Sequence, residues 1–185
     1  MEHDLTLPMT HEMARSLHAG DRVYLTGEVY TSRDAGHKRL CEALAAGKTL
    51  PFNPNDATIY YVGPSPAKPG QVIGSAGPTT SGRMDAYAPM LIRAGVRTMI
   101  GKGARSREVI EAMKSCDGVY LGAIGGAGAL LSSCIKSSEL IAYEDLGAEA
   151  LRRLYVERMP LTVVIDCFGN NLYEIGRRYY FDNIR

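Results

Sequence analysis

No Cys-x-x-Cys pair occurs in this chain; Cys41, Cys116, Cys134 and Cys167 stand far apart. All four histidines, His3, His11, His18 and His37, fall in the first fifth of the sequence, and the seven-residue spacing of His11 and His18 does not make a ligand pair. A self-contained zinc or iron–sulfur site needs clustered ligands, so the chain is expected to bind no metal itself. Three cysteines have apolar or helix-like neighbours, and reduced, mostly buried thiols are expected. No run approaches the ~18 continuous apolar residues of a membrane span. The opening Met-Glu-His-Asp lacks the basic and apolar regions of a signal peptide. A cytoplasmic protein is therefore expected. No excess of one charge exists either. Lys and Arg number 21 against 20 Asp and Glu, scattered along the chain, which gives no reason to expect a nucleic-acid or membrane surface.

What is present is an ordinary globular composition, 45% hydrophobic and 22% charged, over a length that suits one domain with a large core. Residues 1–20 read as an irregular lead-in with one helical stretch, Glu12 to His18; residues 21–185 read as a single domain. Val23 to Tyr30, Thr58 to Val62, residues 72–76, Val96 to Ile100 and Gly118 to Ala123 read as strands. Helices are expected over Ala35 to Ala46, Met84 to Ala94, from an N-cap at Ser106 to Lys114, and from Gly128 to about Lys136. Leu140 to Tyr143, Leu151 to Glu157 and Leu161 to Cys167 look like further strands, with Gly169-Asn170-Asn171 as a hairpin turn before Leu172 to Ile175. The alternation indicates an α/β fold, and the β-rich final third indicates a mixed sheet. Gly125-Gly126-Ala127-Gly128 lacks the Gly-x-Gly-x-x-Gly spacing, and no acidic residue follows at a strand end about 20 residues on, so a Rossmann fold is not supported.

Residues 77–85, Gly-Pro-Thr-Thr-Ser-Gly-Arg-Met-Asp, put three adjacent hydroxyls and an arginine on a stiff turn at a strand–helix junction. Such a turn suits capture of a carboxylate or phosphate by the guanidinium fork and exposed N–H groups. It equally suits a solvated turn with a capping hydroxyl. Two other strand ends share its character: Thr31-Ser32-Arg33-Asp34 and Gly101-Lys102-Gly103. In α/β sheets such ends line the ligand crevice. A lone cation there is usually solvated, but three together imply an anion site in which Arg33, Arg83 and Lys102 converge. Thr79, Thr80 and Ser81 would add hydroxyls, and a ligand with two carboxylates would need about that many cations.

Taken with Tyr120-Leu121-Gly122-Ala123-Ile124-Gly125-Gly126 and Asp166-x-x-Gly169-Asn170, these motifs resemble the β subunit of class I fumarate hydratases. The same unit forms the C-terminal domain of single-chain class I fumarases and, in divergent form, the β subunit of L-tartrate dehydratase. Five motifs recur in order from about Asp21 onward. The resemblance implies a swivelling β/β/α domain. It makes Arg33, Arg83 and Lys102 a clamp on the two carboxylates of malate or fumarate. Thr79 matches the position proposed as base for the C3 proton, although a threonine hydroxyl needs neighbouring cations for that task. A [4Fe–4S] cluster, as the Lewis acid for the C2 hydroxyl, is implied on a partner α subunit and not on this chain. The partners expected are that α subunit and a small dicarboxylate, in a hetero-oligomer, or a homodimer when isolated. The isolated chain is expected to be inactive.

His37 lies four residues after Arg33, one helical turn on. It could orient the arginine, but a partly exposed helix-face or interface histidine is the favoured reading. Asp34 and Asp85 are expected to fix geometry near the clamp, and Asp166 to hold a turn. Gly125 and Gly126 suit either an anion nest or tight strand–helix packing. The leading activity is reversible hydration of fumarate to (S)-malate. The alternatives are L-tartrate dehydratase, a related hydro-lyase such as one acting on mesaconate, and a stand-alone dicarboxylate-binding module without catalysis.

Overall fold

The computed structural model describes residues 1–123 and 128–182. Four parallel strands lie side by side: β2 (Arg22–Thr31), β3 (Thr58–Tyr60), β4 (Thr98–Gly101) and β5 (Val119–Gly122), with β1 (Glu2–Thr6) beside the first half of β2. The long β7 (Leu151–Ile165) runs antiparallel to both β5 and β2, so hydrogen bonding passes around β2–β3–β4–β5–β7 and returns to β2. β6 (Ile135–Ala142) adds an antiparallel strand to β7. Closure of this kind leaves the central strands without free edges. The expected mixed α/β architecture is what forms: seven strands flanked by helices.

β3, β4 and β5 bury both faces. Val119 and Leu121 of β5 join Tyr60 and Ile100 in one cluster with Val23, Leu25 and Val29; Tyr120 joins Ile59 and Met99 in a second. The period of two thus feeds two separate cores. The second core is covered by α2 (Asp34–Ala45), α3 (Ala88–Arg93) and α4 (Arg107–Cys116), through Leu40, Leu91, Ile92, Val109 and Met113. The first is covered in part by α1 (His11–Ser16) and α5 (Gly128–Ser133), through Ala14 and Leu131. Each of the Leu, Ile, Val and Met side chains among these contributes about 1.5–3 kcal/mol by leaving water.

Several local readings change. Residues 2–6 are a strand, not an irregular segment, because the parallel partner Arg22–Thr26 supplies the hydrogen bonds. Residues 72–76 form no strand; Ser65 and Ser75 instead bond to each other (3.1 and 2.8 Å) and close a loop. The helix expected from Met84 is broken into a 3-10 turn, Ser81–Met84, and α3, since Pro89 fits only in a helix's first turn. β7 replaces two expected strands: Glu157 and Arg158 (φ 45°) form a bulge opposite Thr26 that bends the ladder without ending it. Leu172–Asp182 is a helix, α6, rather than a hairpin strand. Asn171 Oδ1 accepts the Tyr173 N–H at 3.1 Å, so the asparagine starts a helix where a turn was expected. No helix among the described residues is long and apolar enough to cross a membrane.

Candidate active site

Parallel pairing of β2, β3, β4 and β5 brings their C-terminal ends to one rim. Arg33 follows β2, Gly63 follows β3 and Lys102 follows β4. Arg33 is the N-cap of α2, in extended conformation, so its side chain leaves the chain between strand and helix. Its Nη1 occupies the space beside Gly63, where a Cβ would come within 2.3 Å. Only glycine lets the guanidinium lie there.

The turn 77–85 crosses the same rim. Thr79 N–H donates to the Tyr61 carbonyl at 2.7 Å, Thr80 bridges Lys102, and Ser81 N–H donates to the Lys102 carbonyl at 2.8 Å. Ser81 is fully buried; its Oγ hydrogen-bonds the Tyr120 hydroxyl at 2.9 Å and packs where a Cβ on Gly101 would clash at 2.0 Å. The glycine before Lys102 therefore admits the hydroxyl of the neighbouring turn. Thr79 is half-buried and Thr80 exposed, and neither side chain makes a hydrogen bond among the described residues. The Lys102 ammonium likewise has no hydrogen bond or ion pair among them.

Asp34 gathers the two arginines. Arg83 Nε–H donates to Asp34 Oδ1 at 3.0 Å and Arg83 Nη2 lies 2.8 Å from Oδ2, while Arg33 Nε is 3.9 Å from Oδ2. Arg83 keeps its Nη1 edge for a ligand, and its side chain is 52% exposed. Arg33 Nη2 also lies 3.4 Å from Glu149 Oε1, and its Nε is buried without an acceptor. A buried unpaired donor costs about 1–3 kcal/mol, so Arg33 is held at this rim with one N–H unsatisfied. Three cations against two carboxylates, Asp34 and Glu149, leave one net positive charge at the rim.

His37 is buried, 1% exposed, which corrects the expectation of a partly exposed helix-face or interface residue. Its Nδ1 lies 2.7 Å from Ser32 Oγ and 3.2 Å from the Arg33 carbonyl, its ring meets Tyr61 edge-on at 5.1 Å, and Nε2 has no partner. Burial lowers its pKa to about 3; the Arg105 cation adds to this, and the Arg33 carbonyl and Asp34 oppose it. The ring is neutral and supports the backbone that carries Arg33. Asp85 pairs with Arg105 (2.7 Å) rather than with Arg83. Asp166 Oδ1 accepts N–H groups of Phe168 and Asn170 in the turn after β7. Gly125 and Gly126 lie outside the described residues. Gly63, Glu149, Tyr61 and Arg105 carried no local signal, because each acts through a contact distant in sequence; Tyr120 stood in a motif, but without an assigned role.

Cys41 and Cys167 do not suit an iron–sulfur cluster. Cys41 contacts the Tyr87 carbonyl and Cys167 the Ala14 carbonyl, and burial pushes the Cys41 thiol up to about 11 and raises Cys167. Such thiols stay protonated, whereas cluster ligands are thiolates. No three His, Cys, Asp or Glu side chains gather into a metal-binding group among the described residues.

A family model described as Fumarase C-terminus matches residues 1–176. The chain belongs to this fumarase C-terminus family. It is 40% identical over 175 residues to the anaerobic class I fumarate hydratase of Escherichia coli, covering 92% of this chain and 32% of that protein. It is 41% identical over 155 residues to the mitochondrial fumarate hydratase 1 of Leishmania major, covering 83% and 28%. A Methanocaldococcus jannaschii protein named putative L(+)-tartrate dehydratase subunit beta is 35% identical over 179 residues, covering 93% of this chain and 92% of that protein. The chain thus spans about a third of the fumarate hydratases it matches and nearly all of the tartrate dehydratase subunit. The fumarase C-terminus match takes in all three rim segments described above.

Proposed function

We propose that this chain is the β subunit of a heteromeric class I fumarate hydratase, catalysing reversible hydration of fumarate to (S)-malate at a site completed by an α subunit. The observation that carries this reading is the pairing of Arg33 and Arg83 through Asp34 on a rim shared with Thr79 and Lys102. Two guanidiniums fixed at one carboxylate can each take a carboxylate of a short diacid. Lys102 adds a third cation beside the threonine pair, where it can bind substrate and stabilise charge on Thr79. In the dehydration direction Thr79, its own proton released to solvent and the alkoxide stabilised by Lys102, accepts the C3 proton, and in hydration the restored hydroxyl returns it; Thr80 and Ser81 line the same turn. One net positive charge is less than a dianion requires, which favours completion of the site by a partner. The cluster implied for the family belongs, on this reading, to that α subunit, since the four cysteines stand far apart in sequence and Cys41 and Cys167 are protonated thiols.

A second reading, an L-tartrate dehydratase β subunit, is favoured by the Methanocaldococcus jannaschii relative, which matches this chain almost end to end. The clamp suits either diacid. Both readings are tested by co-expressing the chain with a cluster-bearing partner, reconstituting anaerobically, and comparing kcat/KM for fumarate and tartrate. Higher kcat/KM for fumarate supports the first reading, higher kcat/KM for tartrate the second. Turnover of neither refutes both.

A further inference from the structure

Beneath the turn and the Lys102 loop lies a buried cation that the reaction above does not use. The Arg105 side chain is fully enclosed, its guanidinium 5.2 Å from the Tyr61 ring centroid and 5.1 Å from that of Tyr120. Its Nε–H donates to Asp85 Oδ1 at 2.7 Å and Nη2 lies 3.4 Å from the Tyr61 hydroxyl. The other Asp85 oxygen accepts the Ser106 N–H at 2.5 Å. Asp85 directly follows the 3-10 turn that carries Arg83. Arg105 and Ser106 directly follow the loop that carries Lys102. The Tyr120 hydroxyl hydrogen-bonds both Ser81 Oγ (2.9 Å) and the Gly103 carbonyl (3.0 Å). Burial raises the pKa of this phenol, so it stays protonated and able to donate.

We infer that Arg105 and Tyr120 are positioning residues that lock the Thr79–Arg83 turn to the Lys102 loop, setting the separation between the base, the clamp and the third cation. The inference rests on the dicarboxylate reading of the rim. One guanidinium fixes one end of both segments through Asp85, and one hydroxyl fixes the other end through Ser81 and Gly103. A lysine at 105 would keep the charge but lose the planar fork and the stacking on both rings. Displacement of a catalytic group by about 1 Å costs on the order of 100-fold in rate.

The test has two arms. In the isolated chain, Tyr120→Phe removes one hydroxyl and keeps the ring against Arg105. Amide exchange at Ser81 and Arg83 should accelerate about 10-fold or more, while Leu25 and Val29 in β2 stay as slow as in the wild type. In the reconstituted pair, kcat/KM should fall about 10- to 100-fold. The isotope effect on substrate deuterated at the carbon that loses its proton should rise, because proton transfer becomes slower. A general loss of folded protein would lower kcat and leave KM and the isotope effect unchanged. Arg105→Lys should act in the same direction, and Tyr120→Phe decides the matter if that variant does not fold. Unchanged exchange at Ser81 and Arg83 overturns the lock. Faster exchange with unaltered kcat/KM and isotope effect overturns the positioning role. A wild-type pair that turns over no dicarboxylate refutes the reading of the site and with it the catalytic role, whereas the exchange arm still reports on the lock.

Discussion

Acid should destabilise this protein through His37 more than through a typical histidine. The ring is 1% exposed, is held by Ser32 and the Arg33 carbonyl, and has a pKa lowered to about 3 against an ordinary 6.5. Between those values the unfolded chain binds a proton at this site and the folded chain does not. Stability is therefore fully present above pH ~6.5 and is lost progressively as the pH falls towards ~3. One proton difference is worth about 1.4 kcal/mol per pH unit, so between pH 7 and pH 5 the loss is about 2 kcal/mol. In a domain of this size that lowers Tm by about 4–8 °C. Other titrating groups contribute as well, so the comparison is with His37→Gln, which is less stable at pH 7 but lacks this titration. Urea denaturation at pH 7, 6 and 5 should show the wild type losing about 2 kcal/mol more than the variant across the range. Parallel stability curves for the two proteins would refute a neutral, buried His37.

Gly63→Ala should push the Arg33 guanidinium from its seat while the fold survives. The added Cβ meets only the end of a flexible side chain, so the urea midpoint should move little while substrate KM rises about 10-fold or more, the worth of a charge-assisted hydrogen bond. Asp34→Asn should loosen both arginines together; steady-state kinetics should show KM for the diacid rising more than for its monoester. Leu25→Ala, in a fully buried position, should cost about 2–5 kcal/mol in chemical denaturation without selective loss of substrate binding.

Much of the fold is legible in sequence because its signals are local. α2 and α4 follow from apolar spacing and, for α4, from Ser106, whose Oγ accepts the Val109 N–H. Parallel strands β2, β4 and β5 stand out as β-branched or apolar runs ended by glycine or polar residues. β1 does not, because its hydrogen bonds come from residues 22–26 and none of its own side chains is buried. Asn171 is ambiguous by chemistry: the same side chain that completes a turn can cap a helix. The site shows the same division. Arg33, Arg83 and Lys102 are visible as cations at strand ends. The Asp34–Arg83 pair spans 49 residues, and the Arg105–Asp85 pair 20, so neither is written in any local pattern. The burial of His37 likewise follows from Tyr61 across the second core rather than from its own helix.

The central claim is that the rim formed by Arg33, Arg83, Thr79 and Lys102 clamps a dicarboxylate. It is tested most directly by Arg83→Ala in the reconstituted pair, with fumarate and monomethyl fumarate as substrates; tartrate and its monomethyl ester replace them if the pair prefers tartrate. Loss of a charge-assisted contact of about 1.5–3 kcal/mol should lower kcat/KM for the diacid about 10- to 100-fold. It should also collapse the preference for the diacid over the monoester, with the fold and partner association intact. An Arg83→Ala pair that keeps full activity and full preference for the diacid would contradict the clamp.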